Sequence, residues 1–533
     1  MRPEKEYLLA IDVGSTTVRC VLFDLQGRPA GEAYCEPAVH HPQPTWAEVE
    51  PEDWWMGVVE ATGEALQRSG VPGERILGIG LCGLKHAMVP IDAHGRPLAR
   101  AMLWMDQRCQ PQVEWMSREH GDVLAEVLGE GGGMSTTPSA PKLRWIIENE
   151  PDLLRRTERF LLAKDFIRLR LTGTVATDPS DAGGTCLYDR RSKSWSPRML
   201  EVVGVPADKL PPILDSTAVA GRVTGQAARA TGLAAGTPVV VGGGDVQCTL
   251  IGANASHTWR ACLYLGTAAW LSAGRDASTA RFGATATTGA ALKWLVDLFD
   301  LAGSGSPFAS YAALLEEAGG VPLGARGLIF LPHLMGERGP RYDAQARGVL
   351  FGLTLAHRRD DVARAVLEGC AFQLRRIAEA LAPQAPSWRL GGSDLPPRTP
   401  SWRLGGSDLP PRAPSWRPWR LGGSDLPGGG LEGMVAVGGG ARSALWLQII
   451  ADVIGIPLLV PRVVEAGALG AAILAGVGVG VYPGVQEAAA ELVQIAHRIE
   501  PDEARHERYG EVYARFLELE ERVSPLYGGV QGS

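Results

Sequence analysis

The chain has 533 residues, 45% hydrophobic and 21% charged, the balance of an ordinary globular protein of about two to four domains. A formal net charge of −7 excludes a chain-wide nucleic-acid-binding surface. The eight cysteines are scattered with no Cys-x-x-Cys pair, which excludes a zinc ribbon or a thioredoxin-type motif.

The first segment, YLLAIDVGSTTVRCVLFD from Tyr7 to Asp24, places two β-rich runs around Gly14-Ser15-Thr16-Thr17. That pattern predicts a β-hairpin with a small-residue turn. The run before it is too short for a signal peptide, so a reduced, cytoplasmic, soluble protein is expected. Helical spacing predicts a helix over Asp53 to Gln67, with Asp53 as N-cap and Trp54, Trp55, Val58 and Ala61 turned inward. Apolar runs at Ile76–Cys82 and Ala87–Asp92 are broken by Gly83. Lys142–Glu148 and Glu158–Leu171 read as helices. Thr237–Val241 reads as a strand running into Gly242-Gly243-Gly244-Asp245.

The pattern then restarts. ACLYLGTAAWLSA, Ala261 to Ala273, is again strand, Gly-Thr turn, strand. This weak duplication predicts two related α/β halves with a cleft between them. Asp361–Leu381 reads as an amphipathic helix, Met434–Val437 as a strand into Gly438-Gly439-Gly440, and Ala444–Ile454 as a helix. Ala466 to Gln486 carries no charge, but its glycines and Pro483 favour a buried, Gly-rich helix over a membrane span. From Glu487 on, the chain is charged and reads as a helical closing element. Between Leu381 and Met434 lies a tandem repeat: PSWRLGGSDLPPR occurs twice, at 386–398 and 400–412, and WRLGGSDLP returns at 419–427. With Pro, Gly and Ser dominant, this segment is expected to be a mostly disordered surface insertion.

Several of these turns suit phosphate chemistry. Gly14, Ser15 and Thr16 offer backbone N–H groups and hydroxyls to phosphate oxygens. Asp12, at the end of the first strand, can hold Mg²⁺ directly or through water, and Arg19 adds a cation. Gly266 and Thr267 repeat the pattern. Gly438 to Gly440 let the backbone approach a flat base or a phosphate, and a helix start favours anions. No G-x-x-x-x-G-K-[ST] is present, which excludes a P-loop, and no G-x-G-x-x-G follows the first strand, which argues against a dinucleotide Rossmann site. Asp245, on a loop at a strand mouth, can act as a general base toward a hydroxyl. His86, Trp104 and Asp106 are candidates for binding a sugar.

DVGSTTVR, WMDQR, GGGD, the LGT turn, GLIFLPHLMGERGPRYDAQARGVLFGL and VAVGGGARS together resemble the FGGY family of carbohydrate kinases, in order, from about Tyr7 to Val481. LWMDQRC, KLRWIIENEPDLL, LLAKDFIRLRLTG, DPSDAGGT and ARAVLEGCAFQLR are similar to xylulokinase segments. The resemblance implies an α/β fold of two ribonuclease-H-like, actin-like ATPase domains with ATP and sugar in the cleft between them. The expected boundaries are 1–245, 246–484 with the 386–427 repeat inserted, and a closing segment 485–533. It implies ATP-dependent phosphorylation of a sugar hydroxyl, with D-xylulose as the first candidate and ribulose, erythritol or glycerol as alternatives. A non-catalytic, actin-like nucleotide sensor is the competing class. By match, Asp245 is the base and Asp12 the acid near Mg²⁺, held through water. Lys85, His86, Trp104, Asp106 and Asp245 take the sugar. Gly14, Ser15, Thr16 and Arg19 form one phosphate loop, and Gly266 and Thr267 another. Gly439, Gly440 and Ala441 lie against the adenosine. Partners are the sugar and ATP, with no nucleic acid and no membrane; a homodimer is compatible. Xylulokinases usually read Gly-Gln-Met-His-Gly where this chain has Gly83-Leu84-Lys85-His86-Ala87. They usually have Asn where it has Val246 and Met105.

Overall fold

In the computed structural model, the residues described are 6–128, 133–255, 261–273, 281–299, 307–340, 342–343, 345–381 and 433–529. The tandem repeat at 386–427 lies outside them. Strands β1 (Tyr7–Val13) and β2 (Val18–Asp24) form the expected hairpin, closed by Val13 opposite Val18 and by Gly14 N–H donating to Thr17 O at 2.8 Å. β3 (Pro29–Cys35) continues the meander. Helix α1 (Pro51–Ser69) starts before the expected Asp53, because Pro51 sits in its first turn, where a missing N–H costs nothing. Its inward residues Trp54, Trp55, Val58 and Ala61 are buried as anticipated.

β4 (Ile76–Gly83) lies parallel to β1, on the side away from β2. The expected helix over Glu158–Leu171 is instead a strand, Arg159–Leu162, followed by α2 (Ala163–Thr172). Phe160, Leu161 and Leu162 are fully or almost fully buried, in a strand paired with Met88–Ile91, and a short apolar run does not by itself separate strand from helix. The six-residue α3 (Pro179–Gly184) follows. β5 (Val219–Arg222), β6 (Pro238–Val240) and the two-residue β7 (Gly243–Gly244) complete the first sheet, in the order β5-β6-β4-β1-β2-β3 with β7 also on β4. Asp245 opens helix α4 (Asp245–Gly252); it does not lie on a loop.

The second sheet repeats this plan. β8 (Ala261–Leu265), β9 (Ala269–Ala273) and β10 (Arg281–Ala284) form an antiparallel meander. After helix α5 (Arg359–Leu381), β11 (Met434–Val437) pairs parallel with β8. Beyond helix α6 (Ala444–Ile454), β12 (Leu458–Pro461) pairs parallel with β11. In each sheet a three-strand meander is followed by parallel strands on its first member, which is the duplication expected of two ribonuclease-H-like folds.

The chain divides into two units, Met1–Thr258 with Pro461–Gln494, and Trp259–Val460 with Ile495–Ser533. They are not contiguous halves. Helix α7 (Ala466–Gly478), expected within the second domain, packs on the first sheet. β1 is buried on both faces: Leu9, Ile11 and Val13 join the α1 core, while Leu8 and Ala10 join Leu469, Ala472 and Ile473 of α7. This contact is a close approach of backbones. A Cβ on Gly80 would lie 1.9 Å from Ala471 O, and one on Gly470 would lie 1.9 Å from Cys248 O. The expected all-helical closing segment contains a strand, β13 (Ile495–Ile499), at the edge of the second sheet; its exposed, charged middle hid it. Among the described residues, no helix is long and apolar enough to cross a membrane.

Candidate active site

In the first unit, Asp12, Lys85, His86 and Asp245 gather at the carboxyl ends of β1, β4 and β7. Asp12 stands opposite Cys82 of β4, and Cys82 stands opposite Gly243 of β7, so two carboxylates flank one strand end. Open parallel sheets bind ligands at this end of their strands. Asp12 is partly exposed, but its carboxyl lies among buried atoms. Burial raises its pKa above the ordinary range, and the Cys82 thiol and the charge of Arg19 offset part of that. Arg19 itself is paired with Glu465, 3.0 Å away. Asp12, with Asp245 across the strand end and no cluster of three or more metal-ligating side chains among the described residues, fits a Mg²⁺ that would be held mainly through phosphate and water rather than in a protein cage.

Asp245 is half-buried in the first turn of α4, where a carboxylate interacts favourably with the helix dipole. Its Oδ1 accepts Val246 N–H at 2.8 Å. His86 has φ +76°, a left-handed conformation costly for a residue with a side chain and typical of functional sites. Its ring is fixed by Nδ1–H donating to Gly184 O at 2.7 Å, which makes Nε2 the acceptor of the neutral imidazole. The Lys85 stem packs on Gly184 and Gly244. Trp104 Nε1–H donates to Ser15 Oγ at 3.0 Å, tying the first phosphate turn to the candidate sugar residues. Gly14, Ser15 and Thr16 are half-buried around that turn.

Asp106 sits differently from its expected role. It is fully buried, and its carboxylate accepts Ala47 N–H at 2.8 Å, Arg108 N–H at 3.0 Å, and the Arg108 guanidinium at 2.9 and 2.7 Å. Arg108 in turn lies 3.5 Å over the Trp46 ring and 2.6 Å from Glu48. These contacts commit Asp106 to holding its own loop.

In the second unit, the turn at Gly266 and Thr267 adjoins the loop Gly438–Ala441 at the ends of the parallel β8 and β11. A Cβ on Gly438 would meet Leu265 O at 2.7 Å, and one on Gly440 would meet Leu265 Cβ at 2.8 Å. Gly439 and Thr267 are exposed, whereas the Ala441 methyl is buried.

The N-terminal domain of the FGGY family of carbohydrate kinases matches residues 7–252, and its C-terminal domain matches residues 268–479. The chain belongs to the FGGY family of carbohydrate kinases. Over 522 residues this kinase is 28% identical to xylulose kinase of Bacillus subtilis, covering 95% of this chain and 94% of that protein. It is 31% identical to glycerol kinase of Thermus brockianus, with 89% and 90% covered. A solved structure of a xylulose kinase from Brucella ovis superposes with a TM-score of 0.74 at 27% identity, over 98% of this kinase and 100% of that chain. A sugar kinase of this family uses ATP, and membership in it sets aside the non-catalytic sensor reading.

Behind the site, the kinase carries a fully buried charge cluster that motif reading passed over. Lys164 Nζ lies 2.7 Å from Asp165, 3.0 Å from Asp178 and 2.9 Å from Asp181, and Arg168 lies 3.0 Å from Asp165. The segments LLAKDFIRLRLTG and DPSDAGGT were the signal, but they showed likeness without a role. Two cations face three carboxylates. Burial first, then the charges of Asp178 and Asp165 against the pull of Lys164, push the Asp181 pKa up to about 7. Folding therefore favours the protonated acid, and stability from this group is full below about pH 4 and falls as pH rises to 7. Asp181→Asn is expected to flatten that decline. Thermal melts between pH 5 and pH 8 would show it, and a slope equal to wild type would contradict the charge count.

Proposed function

We propose that this kinase transfers the γ-phosphoryl group of ATP to the terminal hydroxyl of D-xylulose. The observation that carries the reading is Asp245, at the start of α4, sharing one sheet end with Asp12, Lys85 and His86. Asp245 accepts the hydroxyl proton as the sugar oxygen forms its bond to phosphorus and the bond to the ADP oxygen breaks. His86 and Lys85 hold sugar hydroxyls, Nε2 by accepting and the ammonium by donating. Trp104 covers the sugar and, through Ser15, keeps its ring in register with the phosphate turn. Asp106 acts through its loop rather than by touching the sugar.

In the first unit the N–H groups of Ser15 and Thr16 are free of the Gly14–Thr17 turn bond and bind phosphate oxygens, with Arg19, paired to Glu465, adding positive charge. In the second unit the Thr267 N–H takes the same role, since Gly266 N–H donates to Ala268 O. Gly439, Gly440 and Ala441 offer a side-chain-poor face to the adenosine. Mg²⁺ bound near Asp12 would supply charge neutralisation to the phosphates.

The likeness to xylulose kinases supports D-xylulose. A second reading, another pentulose or a polyol such as ribulose, erythritol or glycerol, is favoured by the likeness to glycerol kinase and by Lys85 and Val246 at the sugar site. Measuring kcat/KM with MgATP for D-xylulose, L-xylulose, D-ribulose, L-ribulose, erythritol, glycerol and gluconate separates them. D-xylulose is expected to lead by at least about 10-fold, roughly what one well-placed hydroxyl contact decides. A lead by glycerol or ribulose would transfer the assignment to the second reading.

A further inference from the structure

Helix α3 touches both sides of the candidate sugar site. At its start, Asp178 Oδ2 accepts Ser180 Oγ–H at 2.5 Å, and Ser180 Oγ accepts Gly244 N–H at 2.9 Å. Gly244 is the residue before Asp245 and the N-cap of α4. At its end, Gly184 O accepts His86 Nδ1–H, and a Cβ on Gly184 would meet Lys85 Cδ at 3.2 Å and His86 Cε1 at 3.3 Å. The helix is anchored from beneath, where Lys164 contacts Asp178 Oδ1 and Asp181 Oδ2, and Ser216 Oγ–H adds a bond to Asp178 at 3.2 Å. Asp181 Oδ1 and Lys85 Cε both come within 2.6 Å of where a Gly244 Cβ would stand, so the turn has no slack on that side.

We infer that Ser180 is a positioning residue for phosphoryl transfer: its hydroxyl, held by Asp178, which Lys164 anchors in turn, sets the Gly244–Asp245 turn and aims the Asp245 carboxylate at the hydroxyl that His86 holds. Carrying both contacts on one short, rigidly anchored helix fixes base and sugar relative to each other, and a misplacement of about 1 Å costs up to about 10²-fold in rate. The inference rests on the proposed role of Asp245 as the base.

The test uses the full chain with Ser180→Ala, Ser180→Thr and Asp245→Asn, each assayed for kcat, both KM values and thermal melting. Ser180→Ala is expected to lower kcat by about 10–100-fold while KM for ATP stays within about 3-fold. Its melting temperature should stay within about 4 °C of wild type. Ser180→Thr, which keeps a hydroxyl, should recover most of the kcat. Wild-type kcat in Ser180→Ala beside an inactive Asp245→Asn would overturn the positioning role alone. A fall in melting temperature in step with kcat, with no recovery in Ser180→Thr, would also overturn it, marking the hydroxyl as merely structural. Wild-type turnover in Asp245→Asn would remove the base assignment, and the inference with it.

Discussion

Asp245→Asn is expected to lower sugar-dependent ADP release by about 10²–10⁴-fold, the usual contribution of a positioned general base. The substitution keeps the shape of the side chain and its oxygen toward Val246 N–H, so the first turn of α4 and the fold should be retained. What it removes is an acceptor for the proton that the attacking hydroxyl must lose. KM for ATP should change little, because the phosphate turns at Gly14–Thr16 and Gly266–Thr267 are untouched. A fall in kcat alone is the signature of an interaction made in the transition state. A rise in sugar KM at constant kcat would instead make Asp245 a binding residue.

Gly470→Ala is expected to destabilise by about 3 kcal/mol, the upper end of what overpacking a core costs. The added methyl would stand 1.9 Å from Cys248 O and 2.6 Å from its carbon, both backbone atoms that no rotamer change can move. Helices α4 and α7 would have to separate, opening a core in which Ala468, Leu469, Ala471 and Ala472 are at most 2% exposed. The site would suffer as well, since Gly467 of the same helix lies against Asp12: a Cβ there would meet Oδ2 at 3.3 Å. Gly63→Ala is the control. Gly63 lies inside α1 with nothing within 4 Å of the new methyl, so the change should stabilise by up to about 1 kcal/mol. Denaturant melts of the two variants check both figures, and a wild-type midpoint for Gly470→Ala would show that the helices do not pack as closely as described.

Local pattern carried much of the fold. The hairpins at Tyr7–Asp24 and Ala261–Ala273 and the strand Met434–Val437 were legible because β-rich runs around small turn residues leave few alternatives. Arg159–Leu162 was lost to a neighbouring helix because four apolar-leaning residues carry too little period to read. Ile495–Ile499 was lost because an exposed edge strand has no apolar face to display. The return of α7 to the first sheet depends on contacts hundreds of residues apart, for which the glycines at 467, 470 and 476 were only a hint.

The site divides in the same way. Asp12, Gly14, His86, Asp245, Gly266 and Gly439 stood out as motif residues at strand ends. Lys164, Ser180 and Asp181 did not, because a buried Lys–Asp cluster looks in sequence like solvated surface charge. Asp106 looked like a sugar ligand because motif reading cannot see Ala47 and Arg108 filling its oxygens.

The central claim is phosphoryl transfer from ATP to a sugar hydroxyl at the end of the first sheet. Its most direct test is the stoichiometry of purified protein with MgATP and D-xylulose or another member of the sugar panel, following ADP and sugar phosphate together. One sugar phosphate formed per ADP, with ADP release negligible when the sugar is withheld, is the predicted result. ATP turnover that no sugar in the panel accelerates, with no phosphorylated sugar in the products, would contradict it.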